Sequence, residues 1–258
     1  MRRGRTGTPS RLGATRGWLA KVVVSAILAM SAGCAVNASS DEPTLPVLSA
    51  ASGLQAVAAS RLCVTSGWVD SIEAPTLKVD VGAMRGVVAG DRSGAAELAF
   101  DYPGPSHEET PLADGEMRRQ IGLKLRAQDT CNVVYVMWRI APVAGVFVQV
   151  KSNPGQSTHE QCADRGYTEL PATAGTQPAP IGPGERHTLR ADLEGNVLTV
   201  LADGALAWKG ELPAEAAAGD GPIGVRSDNG QFGFELRIPG GARPGPRCRS
   251  GQPASPSL

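Results

Sequence analysis

The sequence predicts an all-β protein built as one antiparallel β-sandwich with a single short helix. Short runs rich in β-branched and aromatic residues recur through residues 61–238, and glycine- and proline-rich segments separate them. About ten to twelve strands joined by such turns are typical of a sandwich or a barrel. Residues 61–238 are therefore predicted to form one domain.

The clearest β pattern lies between residues 187 and 209. Apolar and charged residues alternate from His187 to Glu194, as expected for a strand with one buried face. The sequences Glu194-Gly195-Asn196 and Asp203-Gly204 are typical of tight turns between strands. Together they predict a three-stranded meander.

The other predicted strands are short. Their sequences alternate or are rich in valine and isoleucine, and they comprise Leu77–Val81, Ala96–Tyr102, Gln120–Arg126, Cys131–Ile140, Val146–Lys151, Ile223–Ser227 and Phe232–Ile238. We interpret Asp228-Asn229-Gly230 as a turn between the last two strands, because asparagine and glycine tolerate positive φ. The one predicted helix is Ala214–Ala218.

The N-terminus has the pattern of an export signal. Basic residues without acids precede an apolar run, Val22–Met30, and small residues lead to Cys34. The run is shorter than the roughly 20 residues that a membrane-spanning helix needs. Ser31-Ala32-Gly33-Cys34 resembles the lipobox of bacterial lipoproteins, in which the cysteine becomes the lipidated N-terminus. The basic residues are Arg2, Arg3, Arg5, Arg11, Arg16 and Lys21.

These features predict residues 1–33 as a lipoprotein signal peptide and an extracytoplasmic protein that is anchored to a bacterial membrane through Cys34. The alternative is ordinary cleavage nearby, which would give a secreted protein. Residues 34–60, rich in alanine, serine and proline, are predicted to be a flexible tether, and residues 239–258 a Gly/Pro-rich tail.

Five cysteines in an exported chain leave one unpaired unless it serves another purpose. If Cys34 carries a lipid, four remain to form disulfides in an oxidising compartment. Cys131 opens one predicted strand and Cys162 follows the next, so these two are predicted to pair. A zinc site is disfavoured because no C-x-x-C spacing occurs.

The order of segments resembles the concanavalin A-like lectin and glucanase superfamily. The segments that carry this resemblance are Ser66-Gly67-Trp68, Ala99-Phe100-Asp101-Tyr102, the strands Gln120–Arg126 and Val133–Arg139, His187-Thr188-Leu189-Arg190, Asp203-Gly204 with Trp208, and Gly221-Pro222-Ile223-Gly224-Val225. The family includes laminin-G-like and keto-disaccharide-hydrolase-like domains. The resemblance covers roughly residues 61–238 and concerns the fold.

The resemblance implies a jelly-roll arrangement and a concave sheet on which sugars often bind. It also implies that the terminal strands lie side by side, which favours pairing of Cys63 with Cys248. Calcium is the cofactor that the family suggests, and Asp228 and Asn229 offer oxygen atoms. The turn explains these residues without a metal, so no cofactor is predicted.

The sequence contains no recognisable catalytic pattern. Retaining glucanases of this superfamily need two carboxylates on one strand face, roughly 5 Å apart, whereas Glu108 and Glu109 are adjacent and diverge on a strand. Asp192 and Glu194 share a face of a hairpin that is predicted to be exposed. No Gly-x-Ser-x-Gly elbow or zinc-binding histidine pair occurs. The sequence therefore favours a protein that is not an enzyme.

A group of polar residues is predicted to share one sheet face and to bind a ligand there. If the three central strands are neighbours, their outward residues bring arginine, lysine, glutamine and tyrosine together, a combination suited to a sugar, including an acidic one. The simpler interpretation is a solvated sheet face. The residues are Arg118, Gln120, Lys124, Arg126, Tyr135, Arg139, Gln149 and Lys151.

The net charge of the chain without its signal indicates which kinds of partner the protein binds. The chain has 25 basic and 25 acidic residues, and without the six basic residues of the signal it has 19 against 25, a net charge of −6. An acidic domain argues against nucleic acid as a partner. The sequence predicts a glycan or a cell-envelope component as the ligand. A glycoside hydrolase or polysaccharide lyase of the same superfamily, or a structural envelope protein, is the alternative.

Overall fold

One long strand joins two antiparallel sheets. The computed structural model describes residues 53–241. Its strands are β1 (Leu54–Ala56), β2 (Leu62–Ser66), β3 (Asp70–Glu73), β4 (Thr76–Val88), β5 (Ala95–Pro105), β6 (Arg119–Leu125), β7 (Val133–Ala141), β8 (Gly145–Lys151), β9 (Tyr167–Leu170), β10 (Arg186–Glu194), β11 (Val197–Ala202), β12 (Ala205–Glu211) and β13 (Gly224–Pro239). Two single-turn α-helices, α1 (His159–Cys162) and α2 (Ala214–Ala217), join them.

Strand β13 takes part in both sheets. Its first part, Gly224–Asp228, lies between β4 and β6, and β7, β8 and β9 continue that sheet. Its second part, from Gly230, lies between β4 and β5, and β10, β11 and β12 continue the other. We call them sheet I and sheet II. They diverge at Asn229, whose φ is 54°.

The inner faces of the two sheets form one hydrophobic core. Phe100 on β5 packs edge-on against Trp138 on β7, with ring centroids 5.7 Å apart, and against Phe232 on β13 at 6.1 Å. Trp208 on β12 is also buried, and its Nε1 donates to the carbonyl of Leu170 on β9 at 3.4 Å. Aromatic contacts across the core therefore connect the sheets, and each such pair contributes about 0.5–1.5 kcal/mol beyond area burial.

The predicted fold class, an antiparallel jelly-roll β-sandwich, is confirmed. The meander is present as β10, β11 and β12, with turns at the two predicted sequences and a bulge between Val200 and Leu201. The predicted helix forms at Ala214–Ala217. Helix α1 was not predicted, because a capping box between Thr158 and Gln161 forms it over a single turn without apolar periodicity.

The predicted turn at Asp228-Asn229-Gly230 is wrong. All three residues lie inside β13. Asn229 has the positive φ that the turn prediction required, but the strand bends there and continues into sheet II. The sequence therefore correctly indicated a positive φ at Asn229. The positive φ bends a continuous strand there and does not reverse the chain.

The strands also begin earlier than residue 61. Leu54–Ala56 pairs with the end of β13, and Val57 is 4% exposed in the core. Residues predicted to belong to the tether thus complete sheet II, because β13 extends to Pro239 and offers them an edge.

The first predicted disulfide is confirmed. Cys131 and Cys162 are bonded, with Cα atoms 5.8 Å apart, and the bond ties α1 to the start of β7. In the second pair, Cys63 with Cys248, Cys248 lies outside the described residues, as do the signal peptide, Cys34 and most of the tail. No helix within residues 53–241 has the length and apolar character needed to cross a bilayer.

Candidate functional site

The outward face of sheet I carries the polar residues that the sequence analysis grouped. Directly paired residues of an antiparallel sheet point to the same side. Lys124 on β6 pairs with Tyr135 on β7, which pairs with Gln149 on β8. Gln120 pairs with Arg139, so it lies on the same face. We call this outward surface of sheet I the cationic face.

The remaining residues of the group lie on this face or beside it. Lys151 follows Gln149 at the end of β8, and its Nζ donates to the carbonyl of Ala163 at 2.6 Å. Arg118 is the last residue of the loop before β6, and Asp114 and Glu116 of that loop pair with its guanidinium. Arg126 follows β6 with φ 51° and lines a separate cavity of about 170 Å³ with Lys151. The strand register thus puts six of the eight residues on one face, Arg118 lies beside it, and Arg126 and Lys151 line a second depression.

The centre of the cationic face is a buried carboxylate that the sequence analysis did not select. Asp228 is fully buried and accepts hydrogen bonds from Arg85 Nη2 at 2.7 Å, Gln120 Nε2 at 2.6 Å and Arg226 Nε at 2.9 Å. Burial by itself would raise the pKa of Asp228, but Arg226 and Arg85 outweigh it and hold the pKa at about 2. The carboxylate is therefore ionised and fixes two arginines.

Arg85, Arg226 and Asp228 were missed because the turn prediction placed Asp228 at the end of a strand. A signal was nevertheless present. Residues two apart on a strand share a face, so Arg226 and Asp228 on a continuous strand form a pair. Arg85 faces Arg226 across β4 and β13, a proximity that only the strand order reveals.

Asn229 holds the loop between β5 and β6 against this face. Its side-chain oxygen accepts from the backbone N–H of Thr110 at 2.7 Å, and its amide donates to the carbonyls of Thr110 and Arg118 at 2.9 and 3.0 Å. Asn229 is fully buried, so these bonds satisfy polar groups that water does not reach. The loop is thereby held so that its residues 112–114 line a cavity together with the arginines.

An open cavity of about 300 Å³ lies between this loop and the cationic face. Arg85, Arg118 and Arg226 line one part of it. Gln149 and Tyr167 line another, and the remaining lining residues are Leu112, Ala113, Asp114 and Asp164. The cavity therefore combines three arginines and two aspartates with an aromatic ring and an amide, and of the eight predicted site residues Arg118 and Gln149 line it.

Tyr167 stacks on Tyr135, with ring centroids 6.1 Å apart, while 40% of its surface stays exposed. Lys151 lies above the Tyr167 ring at 5.1 Å, and Arg226 above the Tyr135 ring at 4.8 Å. The two stacked rings therefore lie between Lys151 and Arg226. Each of these cation–π contacts contributes roughly 0.5–2 kcal/mol. Tyr167 presents an exposed ring beside the arginines.

Lys124 is a buried cation without a counter-charge. It is 8% exposed, and no described residue forms a hydrogen bond or ion pair with its Nζ. Burial, together with the nearby Arg85 and Arg226, lowers the pKa of Lys124 to about 8. Lys124 therefore adds a positive charge near Arg85 and Arg226, while Asp228 pairs only with the two arginines.

The outward face of sheet II differs from the cationic face in how its arginines are paired with acids. Arg190 donates to Asp192 through both Nε and Nη2, at 2.7 and 3.1 Å. Arg237 lies between Glu235 and Glu97, at 2.5 and 3.0 Å. On sheet II each of these arginines has its own carboxylate, whereas on sheet I Arg85 and Arg226 share one.

Calcium does not fit the residues that the family resemblance suggested. The oxygens of Asp228 face two arginines and an amide donor, and a cation there would meet positive charge. Within residues 53–241, no three or more histidine, cysteine, aspartate or glutamate residues cluster as metal ligands would.

The sequence matches no protein-family model and no curated protein. Among solved structures, the chain is similar to the carbohydrate-binding module CBM66 from Bacillus subtilis, with a TM-score of 0.47 and 12% identity over 69% of this chain and 96% of that one. It is also similar to SCLam, a non-specific endo-beta-1,3(4)-glucanase from family GH16, with a TM-score of 0.42 and 10% identity over 72% and 87%.

A third similar structure is galectin LEC-6 from Caenorhabditis elegans, with a TM-score of 0.37 and 12% identity over 70% of this chain and 99% of that one. Similarity at this level does not extend to a ligand or an activity.

Replacing Asp228 tests whether it holds the arginines. Asp228→Asn should lower the free energy of unfolding by about 3–5 kcal/mol at pH 7, because it leaves the buried guanidinium of Arg226 without its counter-charge and removes one partner of Arg85. The folded-state pKa of about 2 lies below the ordinary 3.8, so the stabilisation is present above pH 3.8 and is lost as pH falls toward 2. Urea unfolding between pH 7 and 3 should show the two proteins converging.

Asp192→Asn, in an ion pair on sheet II, is the matched control and should cost under about 1 kcal/mol. An equal effect of the two substitutions would contradict the role of Asp228.

Lys124→Met should stabilise the protein by about 1–3 kcal/mol at pH 7, because it removes a buried charge that lacks a partner. The pKa of Lys124 is lower in the folded state, about 8 against 10.5, so wild-type stability rises with pH between these values. The advantage of the variant should therefore shrink at pH 10 in urea titrations. Exposed Lys209→Met on β12 should show neither effect, and a destabilised Lys124→Met would refute the assignment.

Proposed function

We propose that the protein is a carbohydrate-binding β-sandwich whose ligand occupies the 300 Å³ cavity on the cationic face. The observation that carries this proposal is the composition of the cavity. Arginine and glutamine side chains supply fixed hydrogen-bond donors, and the half-exposed ring of Tyr167 supplies a flat apolar surface. Sugars present hydroxyl groups around their edge and C–H groups on their faces, and this combination contacts both.

The cavity is supported from behind by rigid elements. Arg85 and Arg226 lie on β4 and β13 and are fixed by Asp228, while Asn229 holds the loop that covers them. A binding site whose side chains are already ordered loses less conformational entropy when the ligand arrives. The arrangement therefore supports recognition by a pre-formed surface.

The hydrolase or lyase alternative rests on one observation, that Asp114 and Asp164 line the same cavity. A glycosidase needs two carboxylates beside one glycosidic bond. Asp114 is hydrogen-bonded to Arg118 at 2.9 Å, an arrangement that holds the arginine in the cavity. We therefore favour binding over catalysis. A structural envelope protein, the remaining alternative, would bind no glycan.

The site is tested by a glycan array with the full chain, followed by titration of the best ligand. Tyr167→Ala should weaken binding about three- to tenfold, because it removes the exposed ring. Leu206→Ala, of similar exposure on β12, should bind as wild type does. Failure to bind any glycan would refute the proposal, and release of new chain ends from a bound glycan would show an enzyme.

We also propose that the domain is extracytoplasmic and anchored through a lipid on Cys34. The basic residues, the apolar run and Gly33-Cys34 support this, and all lie outside the described residues. Cys34→Ser should move the protein from the membrane fraction to the soluble fraction of the producing bacterium. Unchanged partitioning, with no lipid mass on the N-terminal peptide, would refute the anchor.

A further inference from the structure

Arg226 uses only part of its hydrogen-bonding capacity. It is 7% exposed, and its Nε donates to Asp228 at 2.9 Å. No described residue accepts a hydrogen bond from its Nη1 or Nη2. The other ion-paired arginines within residues 53–241 each use at least one terminal nitrogen on an acid, and they are Arg85, Arg92, Arg118, Arg119, Arg190 and Arg237. Buried donors usually have partners, so the free end of Arg226 requires an explanation.

The free end of Arg226 is held in one orientation. Asp228 fixes Nε, and the ring of Tyr135 lies 4.8 Å from the guanidinium carbon. Gly122, the residue opposite Arg226 on β6, has no side chain to cover it. Arg226 also lines the 300 Å³ cavity. The two terminal nitrogens therefore form a pre-oriented fork that is accessible from the cavity.

The chemistry of the fork favours an anion. Three arginines line the cavity beside two aspartates, of which Asp114 pairs with Arg118. The terminal nitrogens of Arg226 carry positive charge and have no acceptor among the described residues, so an anion that enters beside them gains charge-assisted hydrogen bonds.

We infer that this cavity takes a uronic acid residue of an acidic glycan, with the two oxygens of the sugar carboxylate bound by Nη1 and Nη2 of Arg226. A planar carboxylate matches the arginine fork in geometry and charge. Arg118 and Arg85 lie in the same cavity beside the anion, and the ring of Tyr167 faces the pyranose. This inference rests on the proposed function and specifies its ligand class.

The ligand class is tested by calorimetry with the full chain and named polymers. Polygalacturonate, alginate and hyaluronate present carboxylates, carboxyl-reduced polygalacturonate is the matched neutral polymer, and dextran sulfate presents sulfate esters. We expect at least one of the carboxylated polymers to bind at least about tenfold more tightly than the neutral one. Preference for dextran sulfate over every uronate would overturn the carboxylate assignment.

Arg226→Lys tests the fork itself, because it keeps the charge but removes the paired terminal nitrogens. Uronate binding should fall at least about tenfold. Arg190→Lys is the matched control, since Arg190 also pairs through Nε with an aspartate two residues on, but on sheet II. It should bind uronate as wild type does. Equal affinity of the Arg226→Lys variant and wild type would refute the inference.

Arg118→Gln provides a second variant on a loop, in case Arg226→Lys does not fold by circular dichroism. Its uronate affinity should fall about three- to tenfold, because it removes one cation from the cavity. Unchanged uronate affinity of Arg118→Gln would overturn the inference in that case. If the chain binds a neutral glycan and no uronate, the inference fails but the proposed function stands. If it binds no glycan, both fail.

Discussion

The carboxylate of Asp228 lies fully buried at the place where β4, β13 and β6 run side by side and the two sheets begin to separate. Removing it from water is costly, and its three hydrogen bonds from Arg85, Gln120 and Arg226 compensate for that cost. The same bonds fix the arginines that line the cavity. One carboxylate therefore connects the strand order of the fold to the chemistry of its outward face.

The next residue along β13 has the complementary role. Asn229 adopts a positive φ, which lets the strand bend from sheet I into sheet II. Its side chain binds the backbone of Thr110 and Arg118, so the bend also positions the loop that encloses the cavity. Farther along the face, the Cys131–Cys162 bond anchors α1, and Asp164 and Tyr167 follow it into the cavity wall. The cavity is thus built from segments that are distant in sequence.

Much of the fold could be predicted from the sequence, because alternation of apolar and polar residues directly reports which face of a strand is buried. The meander and the shared face of Lys124 and Tyr135 both follow from it. Asp228 was not recognised, because a turn and a bend in a strand favour the same residues, and its same-face spacing from Arg226 has meaning only if the strand is continuous. Arg85 could not be recognised, since its proximity to Arg226 depends on β4 pairing with β13 across about 140 residues of chain.

Uronate binding in this cavity requires that Arg226 keep Nε on Asp228 while Nη1 and Nη2 face the cavity. The most direct measurement is a crystal structure of the protein with a bound uronate oligosaccharide. One sugar carboxylate should lie with both oxygens within about 3.2 Å of the two terminal nitrogens, and the Asp228 contact should be unchanged. A ligand bound on sheet II, or in the cavity with a neutral hydroxyl at Arg226, would contradict it.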